Sequence, residues 1–278
     1  MSGSEAKSAV LLVDNGTLEP AAILRLRQLA ATLGERLGRR VEPVSLQHSD
    51  RVAAALLDGR CAEVLEPALR MRLTEGITDF LIVPLFIGPT RALSEYLPQV
   101  IERVRADRPT ITVRMALPLH AGAEDRLAQM IAGQVEDVMT RTGWDAHTKV
   151  ALVDHGSPLR EVTEVRDRVA DHLAQLLGER VAVVAPCSME RRPGAEYDFN
   201  EPLLANLLAT PPWNAGQIVV AHLFLLPGRH AGEGGDIAQI CARAESESPG
   251  LRVARAGLLG DIPELIDLLV DRYRAVLA

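Results

Sequence analysis

Residues Lys149-Val150-Ala151-Leu152-Val153-Asp154-His155-Gly156-Ser157 run from an apolar stretch into an imidazole and a glycine. Ala9-Val10-Leu11-Leu12-Val13-Asp14-Asn15-Gly16-Thr17 follow the same course about 140 positions earlier. An apolar run that ends in a glycine turn and leads into helical periodicity is the start of a βα unit. Its return at this distance makes the chain a duplicated α/β protein rather than a single irregular domain.

Working outward, short Val/Leu/Ile-rich runs stand at 9–14, 41–46, 79–86 and 111–117, and again at 149–154, 181–186, 217–224 and 251–257. Helical stripes lie between them. Ala22, Leu26, Leu29, Leu33 and Leu37 step by three or four, as do Val162, Val165, Val169, Leu173 and Leu176, with Gly178 as a stop signal. Strands that are apolar throughout fit burial on both faces, so the sequence predicts two four-stranded parallel sheets flanked by helices, in two tandem lobes related by a pseudo-twofold repeat. The register of the repeat matches Val41 and Val44 with Val181 and Val184, Glu66-Pro67 with Glu201-Pro202, and Val113, Ala116 and Leu119 with Val253, Ala256 and Leu259. The expected lobes are 1–145 and 146–278, with a hinge at Gly143 to Thr148.

Composition narrows the class. With 47% hydrophobic and 24% charged residues in 278, each lobe can bury its own core. A formal charge of −7 without a dense Lys/Arg block speaks against a nucleic-acid surface. Cys61, Cys187 and Cys241 are far apart, which gives neither a disulfide framework nor the ligands of an iron–sulfur cluster. The start of the chain lacks the apolar core of a signal peptide, and no apolar run is long enough to span a bilayer. A cytoplasmic protein without a membrane partner is expected.

The two copies differ in chemistry. Leu85-Phe86-Ile87-Gly88-Pro89-Thr90-Arg91-Ala92 returns as Leu223-Phe224-Leu225-Leu226-Pro227-Gly228-Arg229-His230, so Asn15 and Ala92 stand where the second copy has His155 and His230. Ligands of open parallel sheets bind outside the carboxyl ends of the strands, where Asn15, His155, Glu190 and His230 all fall. Two imidazoles and the Glu190 carboxylate suit a borderline divalent metal with positions left open, and the same groups accept protons. The bland alternatives are a loop-capping His155, a surface pair between Glu190 and Arg191 or Arg192, and a flexible glycine-rich loop around His230. His222 is assigned to the core or to support of the site, and Cys187 to the core. No G-x-G-x-x-G follows a strand and no G-K-[ST] occurs, so a nucleotide site is not expected.

In these residues the chain resembles the class II tetrapyrrole chelatases, in particular the long, duplicated sirohydrochlorin cobaltochelatase/ferrochelatase type. The carriers are His155-Gly156-Ser157 and the run Leu223 to His230 followed by Gly235-Asp236-Ile237. The resemblance implies two flavodoxin-like, chelatase-like lobes with the macrocycle between them. It implies insertion of Co2+ or Fe2+ into sirohydrochlorin or a related uroporphyrin-derived tetrapyrrole, in cobalamin or siroheme biosynthesis. His155, His230 and Glu190 then act as metal ligands and proton acceptors, and Asn15, Arg91, Arg160, Arg191, Arg192 and Arg229 hold the ring carboxylates. No cofactor is implied beyond the metal substrate, and a monomer is expected because the repeat supplies both lobes. The departure is the first lobe, where long family members often keep the histidines and this chain has Asn15 and Ala92. That loss motivates the alternative of a non-catalytic tetrapyrrole-binding, metal-binding or regulatory protein on the same fold.

Overall fold

The computed structural model describes residues 7–121 and 125–277. Each copy is a four-stranded, wholly parallel sheet. The first contains β1 (Lys7–Asp14), β2 (Val41–Ser45), β3 (Ile77–Pro84) and β4 (Thr112–Met115) in the order β2-β1-β3-β4. The second contains β5 (Lys149–Asp154), β6 (Val183–Ser188), β7 (Gly216–His222) and β8 (Leu251–Arg255) in the order β6-β5-β7-β8. The eight apolar runs are therefore the eight strands, and the order is that of a flavodoxin-like sheet. The order of strands reverses between β1 and β3, and again between β5 and β7, the switch points outside which open parallel sheets bind ligands.

Helices α1 (Pro20–Leu37), α2 (Leu65–Thr74), α3 (Leu97–Asp107) and α4 (Arg126–Thr142) follow the strands of the first copy. Helices α5 (Arg160–Leu177), α6 (Leu204–Ala209), α7 (Asp236–Glu247) and α8 (Glu264–Ala275) follow those of the second. The stripe predicted for α1 buries Ala22, Leu26, Leu29 and Leu33. In α5 the buried residues are Thr163, Val165, Arg166, Val169, Ala170, Leu173 and Leu177, so a charged side chain joins the stripe while the predicted Val162 and Leu176 are only partly buried. Two isolated bridges, Ser45 to Val64 and Ser188 to Leu203, fix the register of the third element. They make Val64 the counterpart of Leu203, so the expected match of Glu66-Pro67 with Glu201-Pro202 does not hold: Glu66 lies inside α2, while Glu201 precedes α6.

The chain divides into two compact units. One unit is Met1–Ala121 with Pro263–Ala278, and the other is Gly122–Ile262. The last helix of each copy thus belongs to the other sheet. Helix α4 packs on β7 and α5, burying Leu127, Ile131, Val135 and Val138, and Gln134 Nε2 donates to the Leu258 carbonyl at 3.3 Å. Helix α8 packs on α1 and β3, with Arg272 donating to the carbonyls of Pro118 (2.8 Å) and Leu119 (2.7 Å). Gly143, read from the sequence as part of the hinge, is the left-handed cap that ends α4 (φ 69°).

His222 ends β7 with 3% of its surface exposed. Its Nδ1 donates to the Ala256 carbonyl at 2.8 Å, while Nε2 is buried without a hydrogen-bond partner. Burial is the main cause that lowers its pKa from 6.5 to about 4. Between these values the unfolded chain takes up a proton that the folded unit refuses, so stability is complete above about pH 6.5 and is lost as pH falls toward 4. We expect the loss between pH 7 and 4.5 to be about 2 kcal/mol smaller in His222→Phe than in wild type. Urea unfolding followed by tryptophan fluorescence measures it, because both tryptophans, Trp144 and Trp213, lie in the second unit. Equal acid sensitivity of the two proteins would refute this assignment.

Candidate functional site at the β5 and β7 carboxyl ends

The second unit builds its site from three strand-end loops. After β6 the backbone continues along β5, with Met189 N–H donating to the Asp154 carbonyl (2.8 Å) and Glu190 N–H to the His155 carbonyl (3.2 Å). This places Glu190 beside His155. Gly156 makes the approach possible: its φ is +91°, and a Cβ there would lie 1.9 Å from the Glu190 carbonyl oxygen. The third loop follows β7 and is folded rather than loose. Gly232 N–H donates to Gly228 O (2.8 Å), Asp236 N–H to Arg229 O (3.2 Å) and Ile237 N–H to His230 O (3.1 Å). The glycines let backbones meet, since a Cβ on Gly235 would stand 2.6 Å from Arg229 O and 2.8 Å from His230 O.

These loops bring the two predicted histidines together. The His155 and His230 ring centroids are 4.7 Å apart, with the planes tilted by 48°. His155 Nε2 faces Glu190 Oε1 at 3.3 Å, and its Nδ1 lies 3.1 Å from the Gly156 carbonyl. His230 Nδ1 lies 2.6 Å from Asp236 Oδ2. A carbonyl and an ionised carboxylate can only accept, so both rings are assigned a proton on Nδ1 and a lone pair on Nε2. For His155 that lone pair faces another acceptor, Glu190, an arrangement satisfied by a proton or a cation between them. His155 and Glu190 are well exposed, at 49% and 61%, so an external ligand can reach them. Among the described residues no group of three or more His, Cys, Asp or Glu is arranged to hold a metal ion. The side chains are instead paired with one another, His155 with Glu190 and His230 with Asp236.

Beneath His155 lies a buried polar network absent from the sequence reading. Asp154 accepts from Ser188 Oγ (2.6 Å) and Gly156 N–H (3.1 Å), and Arg166 Nη1 donates to Ser188 Oγ (2.6 Å) and to the Asn200 carbonyl (3.1 Å). Asn200 in turn accepts from Ser157 N–H (2.8 Å) and donates to the Ser157 carbonyl (3.0 Å). The loop carrying His155 is thus pinned from below. Burial raises the Asp154 carboxyl, opposed by the Ser188 hydrogen bond and by the Arg166 charge. A charged residue in the middle of the α5 apolar stripe was the available signal for Arg166. For Asp236 it was an acid opening a helix directly after a glycine run.

The arginines divide. Arg191 is engaged within its own loop, with Glu201 (2.8 Å), Asp198 (3.2 Å) and the Gly194 carbonyl (3.0 Å). Arg192 is exposed, and its carbonyl accepts from Arg191 Nη1 at 3.3 Å. Arg160 opens α5 with its guanidinium 4.7 Å from the centre of the Phe199 ring, and Arg229 is 79% exposed, 4.0 Å from Asp236. Cys187 is fully buried, and burial pushes its thiol well up, in line with a core role.

The first unit repeats the frame without the chemistry. Gly16 has φ +90° and a Cβ there would lie 1.8 Å from Gln47 O, which makes Gln47 the counterpart of Glu190. Burial pushes the Asp14 carboxyl up to about 6, opposed by the Ser45 hydrogen bond. Asn15 is exposed, and Arg91, also exposed, has Glu95 at 3.7 Å. The three reactive positions are therefore Asn15, Gln47 and Ala92, none of which titrates or binds a divalent ion well.

Two parallel sheets of flavodoxin-like order, one with paired imidazoles at its switch point, define a duplicated α/β protein of the kind that takes its ligand at the strand carboxyl ends. The CbiX family model matches residues 9–138 and again 149–276, so the chain belongs to the CbiX family and carries two copies of its unit. No curated protein matches the chain at a significant level. Among solved structures it is similar to SirB from Bacillus subtilis with Fe3+, at TM-score 0.69 and 17% identity over 98% of this chain and 96% of the other. It is also similar to the cobalt complex of the sirohydrochlorin chelatase SirB from Bacillus subtilis subspecies spizizenii, at TM-score 0.67 and 17% identity over 97% and 95%. A third is CbiX, the terminal enzyme for biosynthesis of siroheme in denitrifying bacteria, at TM-score 0.61 and 18% identity over 97% and 100%.

Proposed function

We propose that the protein is a chelatase that inserts a divalent metal, Co2+ or Fe2+, into sirohydrochlorin or a related uroporphyrin-derived tetrapyrrole, in cobalamin or siroheme biosynthesis. The observation that carries this reading is the juxtaposition of two imidazoles at the switch point of the second sheet, each with Nδ1 engaged, with the His155 Nε2 facing Glu190. Membership of the CbiX family supports it.

Insertion exchanges one divalent cation for two pyrrole protons, so the site must hold a cation briefly and accept protons nearby. His155 with Glu190, and His230, are the groups assigned to both tasks. A metal that must leave for the ring is served better by donors with other partners waiting than by a closed cage. As the cation departs, Glu190 and the His155 Nε2 are left as acceptors that a proton satisfies. An imidazole binds a cation or accepts a proton only through an unprotonated ring nitrogen. Arg160, Arg192 and Arg229, with Asn15 and Arg91, keep the role of contacts for ring carboxylates. A cytoplasmic monomer working without nucleotide or iron–sulfur cluster is part of the same reading, and no described helix is long and apolar enough to cross a membrane.

The test is anaerobic absorbance of the protein with sirohydrochlorin and Co2+ or Fe2+ against a control without protein. Accelerated metalation is the expected result. Saturable binding of the macrocycle without acceleration would instead make the protein a tetrapyrrole carrier on a chelatase fold.

A further inference from the structure

The glycine-rich loop does more than expose an imidazole. Arg229 and His230 give their carbonyls to the N–H groups of Asp236 and Ile237, which fastens the histidine backbone to the first turn of α7. Asp236 opens that helix, where the helix dipole favours a carboxylate, and its Oδ2 receives His230 Nδ1 at 2.6 Å. Arg229 Nε stands 4.0 Å from the same oxygen. Backbone and side chain are thus clamped to one helix end.

The first copy differs at this point: Ala92, in place of His230, begins a π turn (Ala92–Tyr96) that runs directly into α3, with neither the glycine-rich loop nor an aspartate opening a helix six residues on. The copy that lacks the imidazole and its glycine-rich loop also lacks the carboxylate. Histidine and aspartate are present together or absent together within one chain.

We propose that Asp236 is a positioning residue that fixes the ring orientation and tautomer of His230, holding the proton on Nδ1 and presenting Nε2 to the metal. This deepens the chelatase reading and rests on it for the identity of the cation. Without the carboxylate the ring is free to turn and to move its proton to Nε2, which removes the donor lone pair. Partners of this kind behind a ligating histidine are worth about 10–100-fold in metal affinity.

The test uses the full chain with 15N-labelled histidine at mildly alkaline pH, with the His230 signals assigned by comparison with His230→Gln. Long-range 1H–15N correlation is expected to show the Nδ1–H tautomer in wild type and a shift toward Nε2–H in Asp236→Ala. Titration with Co2+ alone is expected to show affinity about 10–100-fold weaker in Asp236→Ala. Asp236→Asn, which keeps an acceptor oxygen in place, is expected to retain the tautomer and an intermediate affinity. If Asp236→Ala does not fold, the Co2+ affinity of Asp236→Asn against wild type decides the matter, and equality overturns the proposal. An unchanged tautomer in Asp236→Ala overturns it as well. A wild-type protein that fails to metalate sirohydrochlorin, while tautomer and Co2+ affinity still answer to Asp236, refutes the chelatase reading and leaves the positioning role standing.

Discussion

His155→Ala and His230→Ala are each expected to slow metalation of sirohydrochlorin by about 10²–10⁴-fold, the usual worth of a positioned acid–base group. The fall should appear mainly in kcat, because the imidazoles act on the metal and the pyrrole protons rather than on the ring periphery. Arg192→Ala and Arg229→Ala should do the reverse, raising KM for the macrocycle with kcat nearly kept. The double histidine variant is expected to be little worse than either single one, since a pair that shares one cation fails when half of it is removed. Initial rates from the absorbance change at saturating metal separate these cases. Full activity in either single variant would remove the paired imidazoles, 4.7 Å apart, from the chemistry.

Arg166→Ala is expected to destabilise the second unit by about 3–5 kcal/mol, the cost of leaving one member of a buried ion pair without the other. Arg166 is 2% exposed, 3.8 Å from Asp154, and holds Ser188 and the Asn200 carbonyl. Removing it strands a buried carboxylate and unpins the loop that carries His155. The first unit shows the alternative solution. There Leu26 takes the helical position of Arg166, seventh in an eighteen-residue helix, and burial raises the Asp14 carboxyl to about 6. Arg166→Leu combined with Asp154→Asn should therefore recover much of the stability, as buried ion pairs often can be replaced by apolar or neutral groups. Urea midpoints by tryptophan fluorescence report on this unit, which holds Trp144 and Trp213. A loss below about 1 kcal/mol in Arg166→Ala would show that the pair behaves like an exposed one.

The contrast between the copies explains how far the site could be read. His155 and His230 were legible because each sits at a strand end that the apolar pattern locates, and because the duplicate lacks it. Glu190 was legible from its place at a strand end alone, its counterpart Gln47 emerging only from the structure, and the Gly156 turn that seats it against His155 was visible as a glycine. Asp236 and Arg166 were not, because their roles depend on partners distant in sequence or across a folded loop. Arg191 looked like its neighbour Arg192 and was separated from it only by the carboxylates of Glu201 and Asp198.

By itself the sequence determined the duplication, the eight parallel strands, the amphipathic helices and the chemical inequality of the two halves, because period, composition and strand-end residues are local properties. The tertiary structure decided which sheet each terminal helix covers. Helices α4 and α8 both present apolar faces, Leu127, Ile131 and Val135 in one and Leu265, Leu268 and Leu269 in the other. A hydrophobic face states that it must be buried, and two nearly alike sheets satisfy it equally on that count. Directional contacts, such as Arg272 with the carbonyls of Pro118 and Leu119 and Gln134 with that of Leu258, accompany the choice made. Hydrogen-bond geometry between distant residues carried the rest, which is why the His230–Asp236 pair and the network under His155 emerge only in three dimensions.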